Sequence, residues 1–172
     1  MFRTLLASAA LALVIATPGI AQDDLSDPQI AHIAYTAGQI DITAAEQALR
    51  KSTNPTVTDF AETMVRDHKA VNEQALALVE KLGVTPEENA TSTALSDAAT
   101  AKSEELEALE GEAFDAAYVA NEVAYHKTVN EALEGTLIPS ADNAELKALL
   151  ETGLKLFASH QAHAEHLAAD LQ

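Results

Sequence analysis

The feature that most constrains this fold is an apolar repeat between residues 55 and 82. Inward positions recur there at alternating spacings of four and three residues, which is the heptad pattern of helices that pack side by side. The repeat consists of Val57, Ala61, Met64, His68, Val71, Ala75, Leu78 and Leu82. A half-buried strand would instead alternate with a period of two. The repeat therefore predicts a long helix within a bundle, and Gly83 is expected to end it.

Three other segments have helical periodicity of similar length. These helices are predicted at residues 27–51, 112–134 and 142–171, and the one at 112–134 is expected to end at Gly135 and Pro139. The polar stretch 83–111 separates the second long helix from the third and contains one shorter helical pattern at 95–109. The sequence therefore predicts an all-α fold, a ferritin-like four-helix bundle with one long crossover connection that carries a short extra helix.

Composition narrows the classes of function. The chain has 10 basic and 27 acidic residues and a net charge of −17, which argues against nucleic acid or an anionic membrane surface as a partner. It has no cysteine, so disulfides, thiolate metal sites and iron–sulfur clusters are excluded. A metal site must therefore use His, Asp or Glu. No phosphate-binding glycine loop, HExxH motif or Ser-His-Asp arrangement is present, and no organic cofactor is expected.

The N-terminus has the layout of an export signal. Arg3 precedes an apolar stretch from Leu5 to Ala16, a Pro-Gly break follows, and small residues at positions 19 and 21 suit signal peptidase. The apolar stretch is too short to span a bilayer. We expect a signal peptide at residues 1–21 and a single domain at 22–172 that is periplasmic or secreted and has no membrane span in its mature form.

Titratable side chains interrupt the apolar face of each long helix. Asp41 lies among alanines of the first helix, His68 within the heptad repeat, Glu122 and His126 on one face of the third helix, and His160 between leucines and alanine of the fourth. A single buried histidine is more often an ordinary core residue than a ligand. Four helices that each contribute one inward polar group are harder to explain that way, because burying such groups is costly unless they are paired or bound to a metal.

The depths of these residues along the bundle are compatible with one layer. At 1.5 Å per residue, Asp41 and His68 lie roughly 20 Å from the turn that joins their helices. Glu122 and His160 lie roughly 28 Å from the turn that joins theirs. In the crossover topology the two turns are at opposite ends, and the two depths together approximate the roughly 42 Å length of the 55–82 helix. Glu122, His126 or both could reach the layer.

Imidazole and carboxylate ligands suit iron, zinc, copper or manganese. The usual di-iron bundle has a Glu-x-x-His pair on each of two helices, and here the residues three before His68 and His160 are Val65 and Phe157. The sequence therefore favours a mononuclear or weak metal site over an oxygen-activating centre, with no metal as the open alternative. His163, three residues after His160 and followed by His166, is a further candidate ligand.

Several of these stretches resemble a family. The run from Phe60 to His68 (FAETMVRDH), the FDAAY run at 114–118 followed by His126, and the late His160 resemble a bacterial exported family of unknown function, often labelled as exported or outer-membrane proteins. The likeness extends over nearly all of residues 28–171. It implies a ferritin-like helical bundle in which His68, His126 and His160 match recurring histidines. Asp41 stands where that family usually has Glu.

Three functions are compatible with these features. The first is a periplasmic metal-binding bundle for metal homeostasis or the stress response. The second is a non-catalytic envelope interaction or stress module without metal, which would act with a protein partner or as a homo-oligomer. The third is a di-iron type oxidase or peroxidase, which the missing Glu-x-x-His pairs make the least favoured. The sequence thus favours a binding protein over an enzyme.

Overall fold

The computed structural model describes residues 25–171, and these form an all-α bundle. The helices are α1 (Asp27–Lys51), α2 (Pro55–Leu82), α3 (Ala90–Glu107), α4 (Gly111–Ala132), α5 (Ile138–Ser140) and α6 (Ala144–Asp170). The four long helices of the sequence prediction are α1, α2, α4 and α6, and the fold class is confirmed. The predicted signal peptide lies outside the described residues. None of the described helices combines the length and apolar character that a membrane span needs.

Local capping residues set the helix boundaries. The Asn54 side chain accepts a hydrogen bond from the Thr56 backbone N–H, and Pro55 occupies the first turn of α2. Gly83 ends α2 with a positive φ of 64°, a conformation that glycine adopts without steric penalty. The connecting helix α3 begins earlier than the predicted residue 95, because Asn89 accepts hydrogen bonds from two backbone N–H groups in its first turn.

The predicted end of the third long helix at Gly135 is wrong. Leu133–Leu137 form a π-helical turn and α5 follows it, so the chain stays helical to Ser140. A π turn bonds each N–H to the carbonyl five residues earlier, which accommodates Gly135 without a break. Pro139 follows directly in α5, where it has no N–H to donate to the preceding turn. Leu133 and Leu137 are thereby kept in the core.

The long helices pair as two hairpins. A short turn folds α2 back along α1, α6 packs along α4, and α2 also contacts α6. The crossover helix α3 packs on α1, where Gln47 Nε2 donates to Ser103 O at 3.1 Å and to Glu107 Oε2 at 2.8 Å. The crossover therefore lies on the outside of the α1–α2 hairpin and leaves the interior between the four long helices.

Two apolar clusters build the core, and polar residues lie between them on every long helix. Along α1 the order is Ile33 in one cluster, Asp41, then Ala45 in the other. The titratable residues also lie between the two clusters on the other helices, with the cluster order reversed on α2 and α4: Met64, His68 and Val71 on α2; Val119, Glu122, His126 and Val129 on α4; Phe157, His160 and Ala164 on α6. The titratable residues thus occupy one layer near the middle of the bundle.

Candidate metal centre

Five titratable side chains from four helices meet in this layer. The residue exposures are 0% for Asp41 and Glu122, 1% for His126, 3% for His68 and 4% for His160. Two overlapping groups have donor atoms that all lie within 4.8 Å of one another. The imidazole group is His68, His126 and His160, and the mixed group is Asp41, Glu122 and His126. His126 belongs to both and joins them into one site.

Asp41 stands between two of the imidazoles. Its Oδ2 atom lies 3.5 Å from His68 Nε2 and 3.4 Å from His126 Nε2. Neither contact has hydrogen-bond geometry, and no N–H or hydroxyl donor reaches either oxygen of Asp41 within the described residues. In the metal-free protein a proton shared with Glu122 would link the two carboxyl groups. Buried polar atoms are nearly always hydrogen-bonded in folded proteins. A convergence of unpartnered acceptors is the arrangement that a bound cation would satisfy.

The backbone of α4 orients the ring of His126. His126 Nδ1 lies 3.0 Å from the carbonyl oxygen of Glu122, which can only accept, so Nδ1 carries the proton. The lone pair is then on Nε2, which is buried and has no partner among the described residues. A lone pair 3.4 Å from a carboxylate oxygen is unfavourable unless Asp41 is protonated or a cation lies between the two atoms.

A carboxylate at the edge of the layer orients the ring of His160. His160 Nε2 donates to Asp67 Oδ2 at 3.0 Å, which leaves the lone pair on Nδ1. That atom is buried and unpartnered within residues 25–171. Metal-bound histidines commonly donate their other ring N–H to a carboxylate, which sets the tautomer and makes the ligand more basic. Asp67 and His160 have this relationship.

Burial keeps the histidines neutral. Removal from water lowers the pKa of His68 to about 3 and that of His126 to about 4, because a low-dielectric interior disfavours the charged ring. The pKa of His160 is lowered for the same reason, although its contact with Asp67 opposes the shift. A neutral imidazole is the form that binds a metal, so all three rings are ready to bind at neutral pH.

Burial has the opposite effect on the carboxyl groups. It raises the pKa of Asp41 to about 7 and the pKa of Glu122 well above its ordinary value, with the charge of Asp41 adding to the latter shift. At neutral pH the metal-free site therefore holds at least one carboxylic acid proton. A divalent cation would favour the ionised carboxylates and displace protons from them.

His163 lies apart from this layer. It is exposed on α6 and its ring packs against the edge of Phe60, with centroids 5.1 Å apart. His166 is also exposed. The structure thus brings five of the six candidate ligands together and leaves His163 on the surface, about 60° around α6 from His160 and nearly one turn further along it.

An apolar cavity adjoins the layer but does not contain it. It has a volume of about 470 Å³, and no charged residue lines it. Phe157 separates the two, since its ring lines the cavity and also stacks on His68 with centroids 4.6 Å apart and planes at 6°. Phe157 therefore forms an apolar boundary between the cavity and the ring of His68.

Two residues next to the layer were not among the predicted ligands. Asp67 contacts His160 on a different helix. Tyr118 has a fully buried hydroxyl with no partner within residues 25–171. Tyr118 lies one helical turn before Glu122, a spacing that would have suggested contact with the site.

The fold and this layer define a class of protein: an all-α bundle whose core holds a group of histidines and carboxylates suited to a transition metal. The chain belongs to a family called DUF4142, a domain of unknown function, which matches residues 14–167. Among solved structures it is similar to one described as CopM in the Cu(II)-bound form, with a TM-score of 0.65 and 12% identity. That similarity covers 87% of this chain and 99% of the other and shows a shared fold. No curated protein matches the sequence.

Proposed function

We propose that this protein binds one divalent transition-metal ion in its core and serves metal homeostasis or the stress response in the cell envelope. The observation that carries the proposal is the pair of overlapping donor groups, His68–His126–His160 and Asp41–Glu122–His126, which bring unpartnered atoms from four helices into one buried layer. Such atoms destabilise a fold when nothing satisfies them. A bound ion would turn that penalty into a stabilising contribution.

The proposed ion lies where the two groups of donors overlap at His126. His68, His126 and His160 would supply imidazole nitrogens, and Asp41 the carboxylate oxygen that faces two of the rings. Glu122 would either complete the coordination or balance the charge, since one of its oxygens is also buried without a partner within the described residues. The ion would act as a positive charge that holds the four helices together in the middle of the core.

Donor chemistry ranks the candidate ions. Imidazole ligands suit zinc, copper, iron and nickel, and no thiolate is present to select Cu(I). Affinities of nitrogen and oxygen sites generally rise towards Cu²⁺ and fall again at Zn²⁺. We expect Cu(II) to bind more tightly than Zn(II). The similarity to a protein solved in a Cu(II)-bound form is consistent with this ranking, although it shows only the fold.

The arrangement favours binding over oxygen chemistry. A di-iron bundle uses four carboxylates in addition to two histidines, and this layer has two buried carboxylates with three histidines. Glu122 and His126 are spaced by four residues rather than three. The donors are also sealed by Phe157 on one side. A storage, buffering or delivery role requires only that the ion be held and released.

Metal analysis of tag-free protein tests the proposal directly. We expect about one Cu(II) or Zn(II) per chain after loading and desalting, and much less in His68→Ala and His160→Ala. His163→Ala is the matched control, because that histidine is exposed and outside the layer. Substoichiometric metal that is insensitive to the two buried substitutions would reject the proposal. Chelator-insensitive stability would then favour the alternative, an envelope interaction module without metal.

Metal binding should release protons in a defined pH range. The histidines are already neutral at pH 7, whereas the pKa of Asp41 is about 7 and that of Glu122 is raised. Binding should therefore release one to two protons near pH 6.5, and the apparent affinity should rise with pH through about 7. Calorimetry of Zn(II) binding in buffers of different ionisation enthalpy measures this number. Zero released protons would contradict ionisation of the carboxylates on binding.

We also propose that the protein is exported to the periplasm. Export is supported by the sequence of residues 1–21, with its basic residue, apolar stretch and small residues before position 22. Cell fractionation followed by N-terminal sequencing should find a mature chain that begins at Gln22 in the periplasmic fraction. A chain that keeps Met1 in the cytoplasm would contradict it.

A further inference from the structure

One side of the metal layer connects to the surface through charged residues. Side-chain exposure falls from 69% at Arg66 to 19% at Asp67, then to 5% at His160. The next donors inward are His68 at 4% and Asp41 at 0%. Asp67 is therefore a charged, partly exposed side chain in direct contact with a buried donor.

The ring of His160 lies between this surface carboxylate and the interior. Its Nε2 atom faces Asp67 Oδ2 at 3.0 Å, and its Nδ1 atom is buried and unpartnered within residues 25–171. The ring centroids of His68 and His126 are 5.3 and 5.5 Å away. One imidazole thus contacts both an outer carboxylate and the inner donors.

Arg66 occupies the other oxygen of the same carboxylate. Its Nε atom lies 2.7 Å from Asp67 Oδ1, and the arginine lowers the pKa of Asp67, which stays ionised. A guanidinium beside a carboxylate competes with any other cation for that oxygen. Because Arg66 is mostly exposed, its side chain can leave this contact without disturbing the core.

We propose that the Asp67 carboxylate, in contact with His160, forms the outer position at which an incoming divalent cation first binds, and that Arg66 competes for this position in the metal-free protein. This inference rests on the proposed metal site and names its access route. The captured ion then passes the His160 ring to the inner donors. The route suits a hydrated cation, because it carries a carboxylate, whereas Phe157 and the cavity next to it offer no charged side chain.

Stopped-flow binding of Cu(II) tests the proposal, with tyrosine fluorescence as the signal, since the chain has three tyrosines and no tryptophan. Asp67→Asn should lower the association rate constant about tenfold, because the asparagine oxygen still accepts from His160 but carries no charge. Arg66→Gln should raise that rate constant several-fold. Both effects should shrink at 0.5 M salt, where exposed charges are screened.

Two matched variants separate this route from general electrostatics. Arg50→Gln makes the same charge change at another exposed arginine and should leave the association rate nearly unchanged. Asn121→Ala tests the other polar neighbour of the layer, because Asn121 Nδ2 lies 3.5 Å from Glu122 Oε1. A rate that falls in Asn121→Ala but not in Asp67→Asn would overturn the proposed route.

The rate constants also show whether Asp67 captures the incoming ion or only orients His160. If Asp67 only orients His160, its substitution should raise the dissociation rate and leave association unchanged, which would overturn the proposal. Unchanged rates in all variants, with one ion still bound per chain, would also overturn it and leave the metal site intact. Absence of bound metal in the wild-type protein would instead overturn the proposed function itself.

Discussion

His126→Ala is expected to weaken metal binding by at least about 100-fold, because substitutions of residues that merely support a ligand already cost up to that amount. His126 belongs to both groups of converging donors, so its loss removes a ligand that no neighbour replaces. Its Nε2 atom is the one that faces Asp41. Competition titration of Zn(II) against a chromophoric chelator measures the change.

A second variant tests whether the loss of metal binding is caused by unfolding. His126→Leu keeps most of the buried volume and should retain the helical circular dichroism spectrum, with cooperative unfolding, while losing the metal. His163→Ala should bind as the wild type does. Wild-type affinity in a folded His126→Leu protein would show that the ion, if one binds, is held elsewhere.

Asp41→Asn should stabilise the metal-free protein at pH 8. Unfolded Asp41 ionises near pH 3.8 and folded Asp41 near 7, so the unfolded state releases its proton first as pH rises between these values. The free energy of unfolding therefore falls as pH rises through that range. Above pH 7 the total loss is at most about 4 kcal/mol. Asparagine has no charge to desolvate, and we expect a net gain of about 2 kcal/mol at pH 8.

The difference in stability between the wild type and Asp41→Asn reports on this carboxyl group alone. The three histidines have lowered pKa values, so they reduce stability as pH falls below about 6.5, but they do so in both proteins. The gain from Asp41→Asn should vanish near pH 4, and exposed Asp59→Asn should show none. Urea unfolding at pH 4 and pH 8 provides the measurement. A variant less stable than the metal-free wild type at pH 8 would show that Asp41 forms a stabilising contact there.

Bound metal should reverse the order of stability of the wild type and Asp41→Asn. An ion at 1,000 times its dissociation constant stabilises the folded state by about 4 kcal/mol, and this gain depends on the Asp41 carboxylate that faces His68 and His126. The wild-type protein should therefore be the more stable of the two in saturating Cu(II). This trade between metal-free stability and metal affinity is expected of a site whose donors are retained for binding.

Much of the fold could be predicted from local patterns. The heptad spacing around Met64 and His68 predicts the inward face of α2, and the caps Asn54 and Gly83 mark its ends. Continuation of α4 through Gly135 could not be predicted, because a π turn depends on where Leu133 and Leu137 pack against other helices. The early start of α3 at Ala90 was missed although Asn89 is a capping residue.

The candidate site also combines features that local sequence predicts with features that depend on tertiary packing. The sequence by itself determined which residues face inward, because helical periodicity and burial are properties of each segment alone. Tertiary structure alone decided that Asp67 holds His160, that Asp41 stands between two imidazoles, and that His163 points to solvent. These relations depend on the register between helices distant in sequence and on side-chain rotamers, and both are set by packing across the whole core.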